Sequence, residues 1–402
     1  MPTSALRRAC AAALLVLSVA ACAGSPTKPV TLTLWSHGGT AQERAALDGS
    51  LAAFHAAHPG ISVSVHVVTE GDYTTDLQAT LAAQQTPDVI DVDGPLVASF
   101  AAQGAFRKLD TLVSPSTRAN ALSTLVTQGT WQGHLWALGQ FDSGLGIWAD
   151  ARALRRAGVR VPHGVDDAWS ATEFADALRR LAARDPDHRV LDLKVDYGEG
   201  EWMTYGFAPL VASSGGDVAD LRSASVRRVL STLGSWRRYV DPDTDGKAFT
   251  SRRVPLSWVG HWVYPDYRKA LGADLVLLPL PNLGHGSKTG SGSWAWAIGA
   301  QTKHPQAAAA LLTWFERDAE VLRMTSANGA LPGTYSALKQ SSIDAPGGAL
   351  HLYAEQRQVE AAVPRPVTPQ YPTLTAAFGG AVYGVLTGTD PSTAFAKLPQ
   401  QP

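Results

Sequence analysis

Cysteine is almost missing from this chain: Cys10 and Cys22 are the only two among 402 residues. Beyond residue 22 no disulfide is available, so the fold must rest on its hydrophobic core, which a chain this long can bury. Neither sign of charge is in excess, with 34 Lys and Arg against 35 Asp and Glu. That balance gives no basic field for nucleic acid and no acidic sink for cations. No apolar run of about 18 residues occurs, so nothing in the sequence reads as a membrane-spanning helix. Enzyme signatures are missing too. There is no G-x-S-x-G elbow, and "GHGSKTGSG" lacks the order of a phosphate-binding loop. His55 and His58 stand three apart without the zinc-protease pattern and read as surface histidines. "DPDTDG" (Asp241, Asp243, Asp245, Gly246) copies the opening of a calcium loop, but Arg252 falls where that loop needs a bidentate glutamate, so a solvated turn is expected and no metal or cofactor is assigned.

Tryptophan, by contrast, is plentiful: 12 copies against 10 each of Phe and Tyr. Large rings are buried in a core or gathered in a binding cleft, so the surplus calls for one or both. Trp148, Trp236 and Trp314 lie among aliphatic neighbours on strand or helix faces and read as core.

The N-terminus is built for export. Arg7 and Arg8 precede an apolar stretch, Ala9–Ala21, too short to span a bilayer core about 30 Å thick but suited to a secretory signal. It runs through Val19-Ala20-Ala21 into Cys22 and the polar spacer "AGSPTKP". This resembles the lipobox of bacterial lipoproteins, which implies removal of residues 1–21 and lipid on Cys22, with residues 22–29 as a linker.

Farther along, "VTLTLW" and "ISVSVHVV" alternate as strands do, and the helix between them places Leu47, Leu51 and Phe54 on one face before Pro59-Gly60 stops it. A helix around Tyr73–Gln84 and the short strand "DVIDV" complete a βαβ pattern, the mark of a parallel sheet. Asp88, beside Pro87, reads as a structural turn residue. "GHLWALG" and "LGIWAD" predict strands flanking a Phe141–Gly144 loop. Helices are expected at Thr172–Ala183 and Ser223–Tyr239, and strands at "VPLSWVG", "DLVLLPLP" and "SWAWAIG". The C-terminal third reads as mostly helical, and the Gly- and Ser-rich stretch 284–293 as a mobile segment or a crossing between lobes.

Taken in order, "LTLWSHGG", "FHAAHPGISVSV", "TPDVIDVDGPLVASFAAQGAFRKLD", "GHLWALGQFDSGLGIWADARALRRAGV", "PLVASSGGD", "SWVGHW", "LLPLP…GSGSWAWAI", "ANGALPG" and "RPVTPQYPTLTAAF" make the chain resemble the extracellular solute-binding lipoproteins of bacterial ABC importers, in the maltose, trehalose and oligosaccharide branch. The resemblance implies an α/β, two-lobed periplasmic-binding-protein-like fold of class II type, each lobe a mostly parallel sheet flanked by helices. Residues 30–140 with 294–330 would form one lobe, and 141–293 with 331–402 the other. It implies a sugar or short oligosaccharide as ligand, a membrane permease with its cytoplasmic ATPase as partner, a monomer outside the cell membrane, and no catalysis.

Carried over position by position, the resemblance points to Ser36, His37 and Glu43 after the first strand, to Asp93 (with Asp91 close by) after the third, and to Gln140 and Asp142 in "GQFDS". Where relatives carry an aromatic residue before that aspartate, this chain has Gln140 and Phe141. Trp262 or Trp258 in "SWVGHW", Gly292, Ser293 and Trp294, and Arg365 complete the set, with Trp202 and Tyr205 as candidates from the second lobe. Trp294 and Trp296 share a strand face, so one of them is open to a packing role. Arg365 is open to a lobe-bridging role as well as ligand contact.

The chemistry suits a sugar, whose C–H face wants an indole plate and whose hydroxyl rim wants charge-assisted hydrogen bonds. Two rival expectations remain. One is an exported glycan hydrolase, which needs a buried carboxylate pair with one raised pKa. The other is the same receptor with a glycerophosphodiester or peptide as cargo.

Overall fold

The computed structural model describes residues 29–400. The expected signal segment and Cys22 lie outside the described residues. Among those described, no helix is long and apolar enough to cross a membrane.

Two five-stranded sheets organise the chain. The first runs in the order Ile61–Val68, Val30–His37, Val89–Asp93, Trp294–Ile298, Ala137–Leu138. The second runs Val240–Asp241, Leu191–Asp192, Leu256–Gly260, Leu145–Asp150, Leu275–Leu278. Alternation explains the opening strand, where Leu32 and Leu34 are fully buried while Thr31 and Thr33 face outward. The helix Ala41–Ala57 then buries Leu47 and Phe54, and one core under this face joins them to Trp296 and Phe315. A second core, with Ile90, Val92 and Phe100, covers the other face. The second sheet has a single large core around Trp148, Trp236 and Trp258. Trp314 is buried as expected, but His58 is only half surface, packing between Phe54 and Trp314. Asp88 accepts from the backbone and hydroxyl of Thr33, a structural role.

Each sheet is mixed: two of its pairings are parallel and two antiparallel. The mostly parallel expectation is corrected in that respect. The antiparallel strands are those the chain enters after crossing from the other sheet, and they arrive from the opposite end. One crossing joins Leu138 to Leu145, and within it Phe141–Asp142, expected as loop, pairs with Leu331–Pro332. The second crossing is the glycine-rich stretch, where Thr289–Ser291 pairs in parallel with Ala362–Pro364. Residues beyond 331 do not pass at once to the second lobe: Leu122 N–H donates to Gly333 O at 2.8 Å and Asn120 Nδ2 to Ser336 Oγ at 2.7 Å, so this stretch stays with the first. Helices Tyr371–Thr387 and Pro391–Lys397 then pack on Glu201–Ser213 and Ala224–Trp236 of the second.

The calcium-like turn is closed by cations of the protein itself. Arg253 reaches Asp241, Asp243 and Asp245 at 3.0, 3.2 and 2.8 Å, and Arg252 turns away to Asp150.

Glu316 is a buried carboxylate with neither oxygen hydrogen-bonded, at the C-cap of helix Pro305–Phe315. Burial pushes its pKa well up, and the helix C-terminus disfavours negative charge as well. A folded-state pKa above the unfolded one means the group costs stability as pH rises above the ordinary glutamate range, and the cost disappears on acidification. Glu316→Gln is therefore expected to stabilise the chain by about 1–3 kcal/mol at pH 8, with the gain vanishing near pH 4 in urea titrations at the two pH values.

Candidate functional site

The site is built where the ends of the two sheets face each other. The first strand ends at His37, and Gly38-Gly39 turn the chain into the next helix. Thr40 caps that helix: its hydroxyl accepts from Glu43 N–H, and Glu43 Oε2 accepts from Thr40 N–H at 2.7 Å. Glu43 is thus held by the Thr40 backbone, with Oε1 accepting from Asn328 Nδ2 at 3.1 Å. Burial works against its charge, but the Thr40 N–H, His37 and Asn328 outweigh that and keep its pKa below the usual value. Arg44 ties the turn by donating to the carbonyls of Gly38 and Gly39.

His37 Nδ1 meets Asp91 Oδ2 at 2.5 Å, and its ring stacks on Trp294 at 4.0 Å and 12°. Tyr73 abuts the same indole edge-on. Burial raises the Asp91 pKa against the opposing pull of His37. Ser36, His37, Glu43, Asp91, Gln140 and Trp294 line one small pocket. Trp294, half-exposed, and its cross-strand partner Asp93 stand at the same edge. Trp296 is the packing member of the pair, stacked on Phe315 in the core.

Across from them, the second lobe presents a set of rings. Trp262 lies edge-to-face with Trp202 at 6.0 Å and close to Tyr205, and its Nε1–H points to Tyr197 Oη at 3.4 Å. The approach depends on Gly260, where a β-carbon would lie 2.0 Å from the Trp262 ring. Trp262 is half-exposed and Tyr197 exposed. Trp202 is buried with its N–H given to Leu193 O, a support for Trp262 more than a surface.

Arg365 spans the two faces. It forms a fork with both oxygens of Asp93 at 2.7 and 2.8 Å, donates to Glu201 Oε1 at 2.8 Å, and lies over the Tyr205 ring at 4.7 Å. Of the two roles open to it, this geometry displays the lobe bridge. A second bridge runs from Glu43 through Asn328 to His261, whose Nδ1 donates to Asn328 O at 2.8 Å. His261, Asn328, Glu201 and Tyr197 were not visible as site residues in the sequence. Their partners lie up to 285 residues away, and no local pattern encodes such a pairing.

Several expected contacts are already spent. Trp258 is fully buried, its N–H on Gly206 O, because the whole strand Leu256–Gly260 runs inside the second lobe; of the two tryptophans considered, Trp262 is the one half-exposed. Asp142 is buried between Thr124 Oγ1 and Gly292 N–H, both at 2.7 Å, and burial raises its pKa. Gly292, at φ 95, has therefore given up its N–H. Ser293 N–H goes to Gln128, and Gln140 Nε2 goes to Glu320 O. The crossing strands consume these polar groups to hold themselves together.

Among the described residues the aspartates of this cleft are each engaged: Asp91 with His37, Asp142 with Thr124 and Gly292, and Asp93 with Arg365. Ser143 Oγ lies 3.1 Å from His261 Nε2, with the histidine buried and its pKa lowered by that burial.

A fold of two sheet-centred lobes joined by crossing strands, with rings and carboxylates facing each other at the junction, defines a two-lobed solute receptor. The chain belongs to the bacterial extracellular solute-binding protein family, whose pattern matches residues 38–321, and membership puts it outside the cytoplasm. Solved structures share the fold at low identity. The GacH receptor of Streptomyces glaucescens, seen unliganded and with acarbose, matches with a TM-score of 0.79 and 21% identity, covering 92% of this chain and 96% of that one. The cyclic alpha-maltosyl-1,6-maltose binding protein of Arthrobacter globiformis gives 0.73 and 20%, covering 92% and 96%. The maltose/maltodextrin-binding domain MalE of Bdellovibrio bacteriovorus, bound to maltotriose, gives 0.75 and 18%, covering 91% and 97%.

Proposed function

We propose that this chain is the receptor of a carbohydrate importer: it captures a sugar or short oligosaccharide between its lobes and passes it unaltered to a membrane permease driven by a cytoplasmic ATPase. It works as a monomer, held at the outer face of the membrane by lipid on Cys22. The observation that carries this reading is the pairing of half-exposed indoles, Trp294 on one face and Trp262 on the other, with His37, Glu43 and the Asp93–Arg365 fork beside them. Flat apolar plates with fixed acceptors and donors are the complement of a sugar's C–H face and hydroxyl rim. Ser36, at the pocket wall, adds a further hydroxyl.

Both Nη groups of Arg365 are matched by carboxylates, so this arginine offers no surplus positive charge to a phosphodiester. Low-identity relatives are seen with acarbose, maltotriose, mannobiose and alpha-D-tagatose, which supports a saccharide as the cargo. Binding proceeds by hinge closure: the ligand engages one face first, and contacts from the other stabilise the closed form.

A thermal-shift screen of mono-, di- and trisaccharides, with the supernatants followed chromatographically, tests this. The expected result is a raised unfolding midpoint with at least one saccharide and no new sugar species over hours. Hydrolysis products that vanish in Ser143→Ala or Asp91→Asn would establish the hydrolase instead.

A further inference from the structure

Beneath the second-lobe rings lies a charge cluster that the sugar reading does not use. Lys194 follows the strand Leu191–Asp192 in a left-handed conformation, φ 53, which a side chain rarely adopts. It is held there from several sides. Its N–H donates to Asp192 Oδ1 at 2.8 Å, and its ammonium sits 2.7 Å from Asp192 and 2.8 Å from Asp243, all three side chains being buried. Those aspartates are in turn fixed, Asp192 by Ser257 Oγ and Asp243 by the Ala248 N–H and Arg253. Asp192, Asp196 and Asp243 bring oxygens within 4.8 Å of one another, and the lysine ammonium already pairs with two of the three, Asp192 and Asp243.

The cluster bears directly on the rings. Lys194 is the N-cap of the short turn Val195–Tyr197, Tyr197 N–H donates to Lys194 O at 3.1 Å, and the ammonium lies 6.0 Å from the Tyr197 ring centre. Tyr197 Oη then receives the Trp262 N–H, while Trp202 is fastened to Leu193 O, one residue before the lysine. Tyr197 and Trp262 both stand on single 3-10 turns and both reach the surface. Without a brace such side chains lose rotamer freedom only when a ligand arrives, which weakens binding.

We infer that Lys194 is a positioning residue: clamped by Asp192 and Asp243, it fixes Tyr197, and Tyr197 fixes Trp262 as the plate on which a sugar ring lies. This rests on the carbohydrate reading of the cleft. A brace prepaid in the folded state is worth roughly five- to tenfold in affinity for one or two immobilised rings.

The test is Lys194→Met in the full chain, with maltotriose as probe. Expected are cooperative unfolding, greater acrylamide quenching of the fluorescence that Trp262→Ala removes, and affinity down five- to tenfold. In a Trp262→Ala background the same substitution should change affinity less than twofold. Tyr197→Phe, which keeps the ring but drops the hydroxyl, should reproduce the quenching change and serves if Lys194→Met does not fold. Unchanged quenching in a folded variant overturns the inference, as does an equal affinity loss with and without Trp262, which marks a general structural effect. If the unsubstituted chain binds no sugar, the carbohydrate reading falls while the quenching comparison still decides the role of Lys194.

Discussion

Arg365→Ala is expected to cost about 3 kcal/mol of stability and to remove measurable sugar binding. The arginine is 7% exposed and faces two carboxylates, Asp93 at 13% and Glu201 at 32%. Breaking a buried ion pair by deleting one partner costs about 3–5 kcal/mol, because the other charge stays behind uncompensated. The partial exposure of Glu201, also bonded by Tyr371 and Thr375, puts the value at the lower end. Removing all three charges together separates stability from binding. Arg365→Met with Asp93→Asn and Glu201→Gln should recover most of the lost stability, since a fully neutral set leaves no orphaned charge. Affinity should remain lost, because the fork proposed to orient sugar hydroxyls is gone. Urea unfolding and calorimetry on the two variants give both numbers. A triple variant that binds sugar normally would reduce Arg365 to a clasp between lobes.

The second large effect belongs to the indole plates. Trp262→Ala and Trp294→Ala should each weaken sugar binding by about 1.5–3 kcal/mol, one to two orders of magnitude. They act on opposite faces: Trp294 is backed by His37 and Tyr73, Trp262 by Trp202 and Tyr205. Their losses should therefore add within about 0.5 kcal/mol. Trp258→Phe is the control. Its indole is enclosed between Phe207 and Trp236, so it should lower the unfolding midpoint and leave affinity within twofold. A reversal, with Trp258 governing affinity and Trp262 silent, would contradict the arrangement of the second lobe.

Much of the framework was legible locally. The alternation in "VTLTLW" and the helical face Leu47, Leu51, Phe54 carry their own period, and strand and helix formed where that period indicates. The helix Glu201–Ser213 gave no such signal, since it is apolar nearly all round and contains Pro209. The candidate site divides the same way. Ser36, His37, Glu43 and Trp294 line one pocket, Asp93 pairs with Trp294 across the strands and with Arg365, and Trp262 stands on the second lobe; a ligand role for them is what the resemblance implies. Asp142, Gly292, Ser293 and Gln140 also converge, but on each other, as the crossing strands use their polar groups internally. A sequence names which side chains carry hydrogen-bonding capacity. How that capacity is divided between ligand and scaffold depends on partners more than a hundred residues distant, such as Gly292 with Asp142 or Ser293 with Gln128.

The most direct check is a calorimetric titration of maltose, maltotriose and acarbose into the purified chain, run beside Trp262→Ala. Saturable one-to-one binding of at least one of them, weakened about tenfold or more by the substitution, is the predicted result. Flat heats for all three with the natural chain, or tight binding that ignores Trp262, would contradict a sugar held between these faces.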